Sequence, residues 1–266
     1  MNKGILYITL ILIGFAATSC TKVIDLKLNN DTGILVIEGN ITNIPGMQHV
    51  KLSQNVPFTG TNTYPPVTGA NVIVSDNSGN NYQFKEGPAG TYSINAAAGI
   101  AGRTYTMKVI TNGKTYTATS VIPAPVTLDS ISSKPGDFNK SKNLRNIVVH
   151  YQDPAGTANQ YRFVLYVNSV QVNDVFAYND EFIDGRYVNL ELLENNINIH
   201  PGDTAKVEFQ CIDKPVYTYW YTLMEQQQNA PGGGGVTPSN PPTNISPATL
   251  GYFSAHTTRR ETIIVK

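Results

Sequence analysis

The chain has 266 residues, with 19 Lys plus Arg against 19 Asp plus Glu and only 14% charged residues. So even a balance offers no basic patch to displace counterions from phosphates, which excludes nucleic-acid binding as a function class. A composition heavy in Thr, Val, Ile, Tyr and Asn, with 22 Gly and 16 Pro, favours strands and turns.

Met1-Asn2-Lys3 is a short positive start, and Gly4 to Ala17 follows without a charge. These are the n-region and h-region of a secretory signal, and the run is a few residues short of the roughly 20 that a spanning helix needs. Ala17-Thr18-Ser19-Cys20 resembles a bacterial lipobox, with Ala17 where Leu is usual. The reading is a signal peptide over 1–19, lipid attachment (palmitate among the acyl chains) at Cys20, and a lipidated tether over 20–32. Each buried CH₂ of an acyl chain contributes about 0.8 kcal/mol to membrane attachment, so no spanning helix is needed. Loss of Lys3 leaves 18 basic residues against 19 acidic ones. Acylation of Cys20 leaves Cys211 as the remaining thiol, and apolar residues alternating at 205, 207, 209 and 211 make it a buried small hydrophobe.

Strands are expected at Ile34–Thr42 and from His49 to Val56. A hairpin joins Asn71–Asp76 to Asn81–Lys85, another strand covers Gly90–Asn95, and a second hairpin turns at Asn112-Gly113 between Thr104–Thr111 and Lys114–Val121. Seven short strands with regular turn signals predict a β-sandwich over 33–125. Pro123-Ala-Pro125 closes it, since two prolines in three residues cannot continue a central strand. A second β-rich domain, 126–266, is expected to carry strands at Leu128–Ile131, Asn146–Tyr151, Gln160–Asn168, Val170–Ala177, Arg186–Leu192 and Thr204–Ile212. In it Tyr161, Phe163, Leu165 and Val167 alternate toward a core. One helix is predicted over 216–229, after Pro215, with Tyr217, Trp220 and Met224 on one face. A Gly/Pro-rich loop covers 230–247, and Leu250–Ala255 and Glu261–Val265 read as two final strands.

Cys20 to Leu26, Ile34 to Thr42, Pro66 to Val74, Gly90-Thr-Tyr92 and Gly102-Arg-Thr-Tyr105 resemble a family of Bacteroidetes outer-membrane lipoproteins catalogued as a domain of unknown function. Tyr217 to Leu223, Asn240 to Ile245 and Leu250 to Ala255 resemble its C-terminal signature. These motifs are turns and strands, so they identify a family and not a chemistry. Members are typically encoded beside TonB-dependent, SusC-like receptors, which implies an accessory role in nutrient or metal uptake. The N-terminal module is also similar to immunoglobulin- or transthyretin-like sandwiches.

The residues themselves suggest little chemistry. His49, His150, His200 and His256 form no metal spacing, no Gly-x-Ser-x-Gly elbow is present, and Gly232–Gly235 lacks the Lys-Ser/Thr of a phosphate loop. No metal or cofactor is expected. Asp174, Asp180, Glu181 and Asp184 are read as a solvated, turn-forming surface, with partial calcium ligation as the alternative. Loop residues Tyr64, Pro65 and Pro66 are the first candidate for ligand contact. Tyr217, Trp220 and Tyr221 either anchor the helix on the sandwich or stack on a ligand. Ser130 and Thr204, each after an Asp and before an aliphatic residue, resemble an O-glycosylation acceptor.

The expectation is a non-enzymatic, ligand-binding or capping accessory of a TonB-dependent outer-membrane receptor, held by its lipid. An adhesin or structural envelope module is the alternative, and a carbohydrate-active enzyme a third reading. With one acidic residue in Thr21 to Asp25, the periplasmic face is favoured over the cell surface.

Overall fold

The structure, a computed structural model, describes residues 32–57, 63–96, 98–136, 143–194, 197–228 and 239–266. The signal segment, Cys20, the tether up to Asp31 and the run Gly232–Gly235 lie outside the described residues. Seven strands form the first half: β1 (Leu35–Thr42), β2 (Gly46–Gln54), β3 (Asn71–Asp76), β4 (Asn81–Glu86), β5 (Thr91–Ala96), β6 (Thr104–Thr111) and β7 (Lys114–Val121). Their alternation is that of strands with one covered face: Ile37 and Ile41, Val50 and Leu52, Val72 and Val74, Tyr105, Met107 and Val109 all point into one core. Asn112 (φ 48°) and Gly113 (φ 71°) make the predicted β6–β7 turn, whose two left-handed residues match the twist of the strands. Asp76 builds the β3–β4 turn by accepting the N–H groups of Ser78 and Asn80 and the Asn80 amide at 2.8–3.0 Å, and it pairs with Arg103 at 2.8 Å. Strands β1, β2 and β5 face β3, β6 and β7, and β4 pairs with both β5 and β3. The chain is a mostly β, sandwich-type fold.

After Pro125 come β8 (Leu128–Pro135), β9 (Arg145–Gln152), β10 (Gln160–Val167), β11 (Val170–Gln171), β12 (Phe176–Asn179), β13 (Tyr187–Leu192), β14 (Thr204–Cys211), α1 (Lys214–Gln228), β15 (Ile245–Ser246) and β16 (Leu250–Ile264). Strands β13, β9 and β8 form one sheet. Its inner residues, Ile147, Val149 and Tyr151 among them, pack on Tyr161, Phe163, Leu165, Val167 and Phe209 of β10 and β14. Phe163 and Phe209 stack at 4.9 Å, and Tyr151 meets Tyr161 edge-on at 5.1 Å. Cys211 is 2% exposed in this core, and burial pushes its thiol pKa up.

The last strand crosses from one half to the other. Its first part pairs in parallel with β1, Val36 opposite Leu250 through Thr42 opposite His256. Its second part pairs antiparallel with β14, Cys211 opposite Thr257 through Thr204 opposite Ile264. A 13-stranded sheet therefore runs through both cores, and Thr32 to Lys266 form one compact unit. Phe253 and Ala255 fill the first core and Val265 the second.

The C-terminal segment thus differs from its expected place in the second half. The expected strands at 250–255 and 261–265 are one, because β16 is covered on both faces over residues 251–258 and period-two alternation disappears in such a strand. Part of the expected 230–247 loop is β15, paired with β7. Asn244 fastens it by donating to the carbonyls of Thr119 (3.2 Å) and Phe253 (2.7 Å) and accepting Phe253 N–H at 3.0 Å. The expected strand 170–177 is broken into β11 and β12. Between them Gln227 of α1 accepts Val175 N–H at 2.8 Å and donates to the Asn173 carbonyl at 3.0 Å, taking backbone groups that a strand would have used. The helix begins two residues earlier than predicted, at Lys214, because Asp213 caps it by accepting Val216 N–H at 3.2 Å and Pro215 sits in the first turn, where its missing N–H costs nothing. No helix among the described residues is long and apolar enough to cross a membrane.

Candidate functional site

In the continuous sheet the residues that alternate with the core-facing ones lie on the opposite face. Across β10, β14, β16 and β1 this face is polar. Strand register places Arg162 beside Gln210, Val164 beside Glu208, Glu38 beside Tyr252 and Thr42 beside His256. Over it lies α1, whose Val216 and Met224 are 1% and 4% exposed. The Met224 sulfur accepts Ala177 N–H of β12 at 3.4 Å. The result is a cleft of about 330 Å³ lined by Glu38, Asn40, Arg162, Glu208, Gln210, Trp220, Tyr252 and His256.

One wall is aromatic. Tyr252 meets Tyr219 and Trp220, each at 5.0 Å, the latter edge-on. The other wall is a relay of charge and amide. Arg260 pairs with Glu208 at 2.8 Å, the Gln210 amide donates to Glu208 at 2.6 Å, and Arg162 donates to the Gln210 carbonyl oxygen at 3.0 Å. Burial works against the charge of Glu208, but the Gln210 and Arg260 donors win and hold its carboxyl below its ordinary value. The Arg162 guanidinium lies 3.6 Å from the centroid of the Trp220 ring, a cation–π contact worth about 1 kcal/mol between two half-buried groups. His256 is 2% exposed and shares a hydrogen bond of 2.9 Å between its Nδ1 and the Ser254 hydroxyl. Burial first, and the Arg162 charge second, lower its pKa from 6.5 to about 4. It is therefore a neutral imidazole at neutral pH.

The candidate residues read from the sequence separate. Trp220 lines this cleft. Tyr217 and Tyr221 line a second, apolar cleft of about 220 Å³ with Tyr151, Phe182 and Leu190; Tyr221 is 39% exposed and Phe182 81%. The helix therefore both anchors and lines. Tyr64 is exposed and Pro66 bridges to Ser53 beside the first core; neither lines these clefts. Ser130 is exposed in β8, and the Thr204 N–H is held by Asn168 at 3.0 Å. His49 and His150 lie on β2 and β9, strands paired on both sides, and are bonded to Ser93 (2.9 Å) and Ser132 (2.8 Å).

The acidic segment is turn-forming but not wholly solvated. Asp180 is 8% exposed and joins Asp153 (1%) and exposed Asp184 within 4.8 Å. Each carboxylate already accepts a backbone N–H, from Asn159, Gly185 and Gly156 respectively, at 2.6–3.0 Å, and Tyr161 also donates to Asp153. The trio clasps two turns together. Asp153, Arg162, Glu208 and Gln210 were not singled out from the sequence, and His256 was read only as one of four scattered histidines, since β10, β14 and β16, which carry Arg162, the Glu208–Gln210 pair and His256, share no local motif.

A family model described as "Domain of unknown function (DUF4249)" matches residues 21–262. No curated protein matches the sequence. Among solved structures the chain is similar to a two fibronectin type-III domain segment of chicken tenascin, at 14% identity over 68% of this chain and 90% of that one, with a TM-score of 0.22. It is also similar to the Yersinia pseudotuberculosis adhesin InvE, at 17% identity over 66% of this chain and 55% of that one, with a TM-score of 0.22.

Proposed function

The chain belongs to this family of unknown function, and on that premise we propose that it is a lipid-anchored lipoprotein of the outer membrane. There it serves a TonB-dependent, SusC-like receptor as a non-enzymatic accessory, binding ligand or capping the transporter from the periplasmic face. The observation that carries the ligand-binding part is the cleft under α1. Its walls offer a hydrogen-bonding side and an aromatic side on a rigid sheet, the makeup of a small-molecule site. The lipobox-like Ala17-Thr18-Ser19-Cys20 supports the anchor.

The test is deletion of the gene, with uptake through the neighbouring receptor as the readout. Wild-type protein restores uptake, whereas Cys20→Ser, which has no acylation site, and Trp220→Ala, which opens the cleft, restore it poorly. Undiminished uptake in the deletion strain refutes the accessory role.

A further inference from the structure

Among the described residues that line the cleft Arg162 is the cation, and it makes no ion pair there, although the Glu208 carboxylate acts on it across the Gln210 amide. Arg260 has Glu208 at 2.8 Å. Arg162 has the neutral Gln210 oxygen at 3.0 Å and the Trp220 ring face, and no carboxylate of the described residues lies within ion-pair distance of it. Desolvation of a guanidinium is costly, and an anion that brings two acceptor oxygens offsets it. Its position is fixed by the Arg260–Glu208–Gln210 relay behind it and by Trp220 above it, so the fork is preorganised. On the far side of the cleft Glu38, which also makes no ion pair among the described residues, disfavours a second negative charge on a ligand.

We propose that the cleft binds a monoanionic, carboxylate-bearing small molecule, with Arg162 donating to the carboxylate and the Trp220–Tyr252 wall packing on the carbon frame. This rests on the reading of the cleft as the ligand site of the accessory protein.

Trp220 is the single tryptophan of the chain, so its fluorescence reports the site without a label. The full chain in non-ionic detergent micelles is titrated with cyclohexanecarboxylate, with cyclohexanecarboxamide and with inorganic phosphate. The carboxylate is expected to give a saturable change in Trp220 emission, with the amide and phosphate at least tenfold weaker. Arg162→Gln weakens the carboxylate response at least tenfold, and Arg162→Lys, which keeps the charge and loses the fork, falls between. Equal responses to carboxylate and amide, no saturable response to the carboxylate, tighter binding of phosphate, or an unchanged response in a folded Arg162→Gln variant each overturn the proposal. If Arg162→Gln does not fold, the carboxylate–amide comparison on the wild-type chain decides alone. If carboxylates fail while uptake still depends on Trp220, the ligand class is wrong and the accessory role stands.

Discussion

The Asp213 carboxylate accepts the Ser120 hydroxyl at 2.7 Å, and through this bond the start of α1 is tied to β7 of the first core. The same oxygen accepts Val121 N–H at 2.9 Å, and its partner oxygen caps the helix. Asp213→Ala removes a cap and two charge-assisted bonds, for an expected loss of about 3 kcal/mol. Asp213→Asn, which keeps an acceptor for the cap, loses about 1 kcal/mol less than the alanine variant or better. Urea unfolding midpoints of the two variants check the order; equal losses contradict it.

Gly251 has φ of +94°, and a Cβ on it would lie 2.0 Å from the Ile37 carbonyl oxygen. Gly251→Ala must push β16 away from β1 at the point where their pairing begins. The expected destabilisation exceeds about 3 kcal/mol, whereas Gly202→Ala, also at positive φ but with open space around it, costs about 1 kcal/mol. Thermal unfolding of both variants measures the difference.

A fragment of residues 32–125 lacks Ile245, Phe253 and Ala255 of its own core and leaves the β16-pairing edge of β1 open. It is expected to fold without cooperativity, since each large buried side chain contributes roughly 1.5–3 kcal/mol. Adding a peptide of residues 243–258 in trans is expected to restore a cooperative transition. A sharp transition in the fragment alone would show that the first half is independent.

His256 gives stability a pH dependence. It protonates near 6.5 in the unfolded chain and near 4 in the folded one, so between these values the unfolded state binds more protons. Its contribution is complete above pH 6.5 and falls as pH drops toward 4, by up to roughly 3 kcal/mol. Arg162 and Arg260 face it and strengthen the effect, while Glu208 opposes it. In His256→Gln the fall in unfolding free energy between pH 6.5 and 4 is expected to be shallower by this amount; parallel curves for the two proteins contradict the assignment.

Much of the fold was legible in the sequence, because half-covered strands alternate. Tyr161, Phe163, Leu165 and Val167 are each at most 1% exposed, and Asn112-Gly113 turns as its dipeptide predicts. Legibility ended where both faces of a strand are covered. Ser254, His256, Thr257 and Thr258 are polar yet at most 3% exposed, so hydropathy hid the middle of β16 and with it the strand that joins the two halves. The cleft was half legible. Trp220 stood out by its type, whereas Arg162, Glu208 and His256 meet only through pairing of strands far apart in the chain. The aromatic face of α1 marked a contact surface without distinguishing the side that lines the polar cleft from the one that lines the apolar cleft.

Mild-detergent extraction followed by affinity capture of the full-length protein, at native expression level, tests the accessory role most directly. Co-purification of a large outer-membrane β-barrel, retained in Trp220→Ala and lost in Cys20→Ser, is the predicted result. Recovery of the protein alone, from membranes that still contain the barrel, would contradict it.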